Sequence, residues 1–188
     1  MRIICCKFGD KFTDWHVDNL KHMIDTYSGL KYDSFEVIED NPYGNWFNKL
    51  QMYSKFKDGE NLYFDLDVVI FNKLPNLVRK YFTLLDDTWW REPAHTPLNS
   101  SIVSWTGDVS YIWDKFKSNE KEYLEKYNKG SDEFYFKEIE YETYGKVCPS
   151  IKDYLYKKPD YSIVTLGQMH HLQEKGWLGW YSDYFIQR

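Results

Sequence analysis

The chain has 188 residues, 43% of them hydrophobic and 20% aromatic, enough apolar surface to offset the entropy of ordering the backbone, so a folded chain is expected. The formal net charge is -5, and the basic residues are interspersed with acidic ones, so no continuous positive face is available to neutralise a nucleic-acid backbone. No apolar run approaches the ~20 residues that span a bilayer, and the N-terminus lacks the zones of a signal peptide, so a soluble, cytoplasmic protein is expected.

The opening run from Met1 to Phe8 is apolar and β-compatible. Gly9 and Asp10 mark a turn, and apolar residues at helical spacing then predict a helix from Phe12 to Tyr27. Cys5 and Cys6 are adjacent and Cys148 stands alone. An odd count without CxxC spacing argues against zinc or a disulfide framework. Ser34 to Ile38 alternates as a strand should, Glu39 to Gly44 has loop composition, and Trp46 to Phe56 reads as a second helix closed by Asp58 and Gly59. A third strand begins at Asn61 and resumes from Val68 to Phe71, interrupted by Asp65 and Asp67.

Further along, Pro75 to Phe82 reads as a short helix, Thr83 to Leu85 as a strand, and Asp86 to Pro97 as a loop carrying Trp89, Trp90, Arg91 and His95. Leu98 to Trp105 is predicted as a strand. Asp108 to Tyr127 reads as one long amphipathic helix that buries Trp113, Phe116 and Leu124, and Gly130 with Ser131 caps a helix from Asp132 to Tyr141. Ser162 to Leu166 is the last strand. The tail from Gly167 to Arg188 carries His170, His171, Trp177 and Trp180 and is expected to fold back near the site. The order strand, helix, strand, helix, strand predicts a Rossmann-like α/β domain, one unit over residues 1–188, with a mostly parallel sheet that binds ligands beyond its carboxyl edge.

That edge is where Asp65 and Asp67 fall. Two carboxylates two residues apart in an apolar run are costly to bury ionised, unless a cation or hydrogen-bond donors compensate. Hard oxygen ligands suit Mg²⁺ or Mn²⁺, ions that commonly complete their shell with substrate phosphates. Roughly one Asp-x-Asp is expected by chance in a chain of this size, so the spacing is informative only through its place after a strand.

The segment Leu62-Tyr63-Phe64-Asp65-Leu66-Asp67-Val68 resembles the Asp-x-Asp motif of GT-A-fold glycosyltransferases. Lys7-Phe8-Gly9-Asp10-Lys11-Phe12, Asn48-Lys49-Leu50, Leu98-Asn99-Ser100-Ser101-Ile102-Val103-Ser104-Trp105 and Ser131-Asp132-Glu133 are similar to pieces of a bacterial and phage group within it, in the same order. The resemblance implies a metal-dependent transferase taking a sugar from a nucleotide-diphosphate donor, a UDP-sugar by preference, to a glycan or protein acceptor. It assigns Asp65, Asp67 and His170 to the metal, and Lys7, Phe8, Lys11, Asp65, Asn99 and Ser100 to the donor. Asp132 and Glu133 are the catalytic candidates. Glu133 stands where the group usually has Gln. Val164-Thr165-Leu166-Gly167 lacks the group's strand-end His, which leaves His170 or His171 to supply the nitrogen ligand. Helix-start acids such as Asp132 and Glu133 also favour the helix dipole without any other role. Two other readings stand beside this one: a nucleotide-sugar or glycan-binding module without turnover, and a haloacid-dehalogenase-like phosphatase with Asp65 as nucleophile.

Overall fold

A computed structural model describes residues 1–88, 96–128, 130–173 and 179–186. β1 (Arg2–Cys6) pairs in parallel with both β2 (Ser34–Ile38) and β3 (Glu60–Phe64), so it lies inside a sheet rather than at its edge. An internal strand of a parallel sheet with layers packed on both sides must bury both faces, and the sequence of β1 meets that demand. Ile3 and Cys5 point into one core, Ile4 and Cys6 into the other, all 2% exposed or less. The same alternation continues in β3, where Leu62 and Phe64 face the first core and Tyr63 the second.

The sheet has six strands in the order β2-β1-β3-β6-β5-β7, with β5 spanning Thr83–Asp86, β6 Leu98–Thr106 and β7 Glu142–Tyr144. β6 is antiparallel to its neighbours β3 and β5, while β5 and β7 run parallel. The N-terminal end of β6 therefore lies at the same edge as the carboxyl end of β3. One face is covered by α1 (Asp14–Met23), the small antiparallel pair β4 (Val68–Ile70) and β8 (Ile163–Thr165), and the tail. The other is covered by the 3₁₀ turn Trp46–Gln51, α2 (Met52–Lys55), α3 (Tyr111–Ser118), α4 (Glu120–Lys126) and α5 (Ser131–Glu138). Aromatic residues dominate this second core. Phe47 stacks on Phe116, and Tyr53, Trp105, Phe134 and Tyr135 are fully buried around them. The aromatic excess of the sequence thus goes mainly into packing.

Several sequence expectations change. The third strand is two strands, because the chain turns at Leu66 and Asp67 and β4 leaves the main sheet to pair with β8. Leu62 to Phe64 and Val68 to Ile70 are both apolar and buried, so periodicity could not separate them. Pro75 to Phe82 forms no helix. Its backbone runs beside the end of β6, where the Lys80 carbonyl accepts from Thr106 N and the Arg79 carbonyl from the Thr106 hydroxyl. The long helix is broken at Asn119, whose φ of -142° and ψ of 41° are not helical, and α5 stops at Glu138 so that Glu142 to Tyr144 can extend the sheet as β7. The predicted loop residues Trp89, Trp90, Arg91 and His95, and Trp177 of the tail, lie outside the described residues. Among the described residues no helix is long and apolar enough to cross a membrane.

Candidate active site

Several segments meet at the carboxyl edge of β3. The turn Asp65–Asp67 follows that strand directly, still tied to the sheet by a 2.9 Å bond from Asp65 N to the Ser101 carbonyl. β6 contributes Asn99, Ser100 and Ser101 from a bulge: Leu84 pairs with Val103 but Leu85 with Asn99, so three residues of β6 go unmatched on the β5 side. A bulge re-aims side chains that a regular ladder would hold perpendicular to the sheet. Gly130 to Asp132 at the start of α5 and Gly167 to His170 at the start of the tail complete the rim, with Trp46 and Lys49 from the 3₁₀ turn. Together they enclose a cavity of about 500 Å³.

Lys49 is the electrostatic centre. It is 2% exposed, and its Nζ donates to Asp65 Oδ1 at 2.8 Å and to Ser100 Oγ at 3.0 Å. The Ser100 hydroxyl in turn donates to Asp132 Oδ1. Burial works against the ammonium, but the carboxylates of Asp65 and Asp132 outweigh it and hold its pKa above the ordinary lysine range. Tyr63 also donates its hydroxyl to Asp65 Oδ1. Lys49 and Tyr63 both meet Oδ1, and among the described residues no hydrogen bond reaches Asp65 Oδ2.

Asp67 is treated differently. It is 6% exposed, its Oδ1 is buried without a hydrogen-bond partner among the described residues, and Lys11 Nζ is 3.8 Å from Oδ2. Burial first, then repulsion from Asp65, push its pKa up to about 7, against the pull of Lys11 and Lys49. The turn that carries it is held from behind by the tail. Leu166 N donates to the Asp67 carbonyl at 2.7 Å, and Gln173 Nε2 to the Leu66 carbonyl at 3.2 Å.

Of the residues singled out from sequence, Lys11, Asp65, Asp67, Asn99, Ser100, Asp132 and His170 line this cavity. Lys7, Phe8 and Glu133 do not. Lys7 is held by Asp14 and by Glu39 Oε1 at 2.6 Å, and Phe8 packs against the aromatic core. His170 Nδ1 is 3.3 Å from the Gly167 carbonyl, and His171 is partly buried outside the lining. Trp180 packs edge-to-face with Phe71 and donates to the Tyr154 carbonyl at 2.7 Å, so it serves the core. Lys49, Trp46, Ser101 and Gln168 carried no site assignment from sequence. For Lys49 a signal existed: at helical spacing it shares a face with Trp46 and Tyr53, an odd place for a charge without a partner.

Among the described residues no three His, Cys, Asp or Glu side chains form a ready-made metal cluster. The donor set nonetheless fits a hard divalent cation in part. Asp67 offers a buried oxygen that no described residue satisfies, Asp65 a second, and the adjoining cavity has room for further oxygen ligands from a substrate.

No protein-family model matches the sequence, and no curated protein matches it. Solved structures do. The galactosyltransferase LgtC, determined in complex with donor and acceptor sugar analogs, is 11% identical, with 88% of this chain aligned to 86% of that one at a TM-score of 0.59. The glycosyltransferase GlyE of Streptococcus pneumoniae TIGR4 is 14% identical over the whole of this chain, which spans 61% of GlyE, at a TM-score of 0.63. A glycosyltransferase involved in the glycosylation of the major capsid of PBCV-1 is 14% identical, covering 88% of this chain and 91% of that one at a TM-score of 0.53. At such identities the likeness is one of fold: this chain has a GT-A fold like theirs, a mostly parallel mixed sheet with helices on both faces.

Proposed function

We propose that the protein is a metal-dependent glycosyltransferase that moves a sugar from a nucleotide-diphosphate donor to a glycan or protein acceptor. The observation that carries this reading is Asp67, a buried carboxylate with an unpartnered oxygen beside a second acid, at the edge where such sheets bind ligands. A protein that needed only stability would have no use for that arrangement. The glycosyltransferase fold supports the same chemistry.

Asp65 and Asp67 are the residues that would hold Mn²⁺ or Mg²⁺, which supplies positive charge to a departing diphosphate when bound. Lys49 fixes Asp65 and, through Ser100, ties the acidic turn to Asp132 across the cavity. That chain of bonds sets the position of Asp132, whose carboxylate is the group available to orient or deprotonate an acceptor hydroxyl. Asn99 and Ser101 add polar groups to the wall, and Lys11 adds a cation at the mouth for the phosphates. Trp46 is 50% exposed and lines the same cavity, which gives a base or sugar ring a face on which to stack.

The test is calorimetry of uridine diphosphate with and without Mn²⁺, followed by a donor screen for diphosphate release. Binding that requires Mn²⁺ and disappears in Asp67→Asn is expected. Equal binding in the presence of a chelator would remove the metal role, and binding without any donor turnover would leave a nucleotide-sugar-binding module.

A further inference from the structure

A second cleft lies at the opposite edge of the sheet, where β6 ends and β5 and β7 begin. Thr106 closes β6, Phe82 precedes β5, and the Phe82 carbonyl accepts from Glu142 N at 2.8 Å. The cleft measures about 470 Å³, within the range of small-molecule sites, and shares no lining residue with the candidate active site.

Its lining combines three tyrosines with three acids and one lysine. Tyr81 is 57% exposed and Tyr111 48%. Among the described residues the large hydrophobics this exposed are those two, Trp46 and Tyr156, so three of the four border one cavity or the other. Exposed aromatic faces are thus concentrated at concave surfaces instead of being scattered, which is how ligand platforms differ from incidental exposure. No hydrogen bond within the described protein engages the hydroxyls of Tyr81, Tyr111 or Tyr141, and the carboxylates of Glu140 and Glu142 likewise have no ion-pair partner. Asp108 accepts from Ser110 N at 2.8 Å.

The charge pattern narrows the ligand class. Asp108, Glu140 and Glu142 outnumber the single ammonium of Lys80, which already sits 5.2 Å over the Tyr81 ring. Phosphates and nucleotides are therefore repelled. A small cation, which these acids attract, is the competing class and is one outcome of the test below; Tyr81 and Tyr111 present separate half-exposed rings, which suits an extended ligand better than a compact ion. What fits is a neutral, flat-faced, hydroxyl-rich molecule. The C–H face of a pyranose packs on an aromatic ring, and its paired hydroxyls donate to carboxylates.

We propose that this cleft binds a neutral oligosaccharide, with Tyr81 and Tyr111 as separate platforms for successive sugar units and Glu140 and Glu142 as acceptors for their hydroxyls. It is a binding surface remote from the acidic turn and goes beyond the transferase reading without depending on it. In a transferase it would hold the distal part of a long glycan; in a protein without turnover it would still bind.

The experiment is an amide-shift NMR titration of the full chain, in chelator, with maltotetraose, cellotetraose and chitotetraose, and separately with tetramethylammonium. At least one tetrasaccharide is expected to shift Phe82, Thr106, Val109 and Glu142 with an affinity near the millimolar range typical of small, exposed sites, about 1 mM. Tyr81→Ala and Tyr111→Ala should each weaken it about fivefold or more, while Trp46→Ala leaves it unchanged. Both tyrosines are about half exposed, so the variants should keep the wild-type spectrum elsewhere. Tyr81→Phe, which retains the ring, should bind nearly as well. The proposal is overturned if none of the three sugars moves those amides, if the alanine variants bind like wild type, or if tetramethylammonium saturates the same shifts. Because chelator is present throughout, failure here is separate from failure of the metal-dependent reading.

Discussion

If Asp67 is kept for ligand binding against the interest of folding, then Asp67→Asn should make the metal-free protein more stable. The folded carboxyl has a pKa of about 7 against an ordinary 3.8. Between those values the folded chain retains a proton that the unfolded chain has released, so stability falls as pH rises through the window and levels off above about 7. At ~1.4 kcal/mol per pK unit the full penalty at pH 8 is at most ~4 kcal/mol. An asparagine amide buried without a full set of partners returns ~1–3 kcal/mol of that, leaving a net gain of ~1–3 kcal/mol. For a chain of this length, that is about 3–9 °C in midpoint. The assay is thermal or urea unfolding in chelator from pH 4.5 to 8.5. By the same arithmetic the variant should be level with wild type or below it near pH 4.5, cross it as pH rises, and lie above it by pH 8. With Mn²⁺ and uridine diphosphate the order should reverse, since a ligand at a hundredfold its dissociation constant adds ~2.7 kcal/mol to wild type alone. Parallel curves, or a variant less stable at pH 8, would refute the claim that Asp67 is an uncompensated buried charge.

Other outcomes follow from the same geometry. Lys49→Met leaves Asp65 and Asp132 without their shared cation and should cost ~2–4 kcal/mol in urea unfolding, discounted from a wholly buried pair because Asp65 is 26% exposed; a neutral effect would mean the ion pair is dispensable. Gly130 precedes α5 at φ 125° and ψ 178°, a region that residues with a side chain rarely enter, while an added Cβ would meet Trp46 at an ordinary 3.7 Å. Gly130→Ala should therefore cost ~1–3 kcal/mol through the backbone alone, read by denaturant midpoint, and should weaken donor binding by moving Asp132. Trp105→Ala, at a fully buried position in the aromatic core, should cost ~3–5 kcal/mol and affect Lys49-dependent binding only through lost stability. Gln173→Leu removes the bond to the Leu66 carbonyl and should raise the Mn²⁺ requirement more than it lowers the unfolding midpoint.

The strand-helix-strand order, the turn at Gly9 and the acid pair after Phe64 were all readable from residue order, because each is a local matter of periodicity, turn chemistry or a charge out of place. Ser34 to Ile38 is a strand with the bounds its alternation predicts. Where chain partners decided the outcome, local pattern failed. Asn61 to Phe71 reads as one interrupted strand, yet β4 pairs with β8 nearly a hundred residues later, and no feature of the apolar run announces it. Likewise Pro75 to Phe82 has helical spacing, but the carbonyls of Arg79 and Lys80 find their donors on Thr106.

The candidate site divides along the same line. Sequence alone determined that two carboxylates stand at the end of an apolar strand, and therefore that something must compensate them, since burial cost is a property of the residues themselves. Only the tertiary structure decided what does. It pairs Asp65 with Lys49 and links it through Ser100 to Asp132, while among the described residues no partner reaches Asp67 Oδ1, and Lys7, Phe8 and Glu133 fall outside the cavity. Those distinctions depend on a bulge in β6 and on which helix start reaches the edge of the sheet, geometry that arises between segments far apart in the chain and is written in no single one of them.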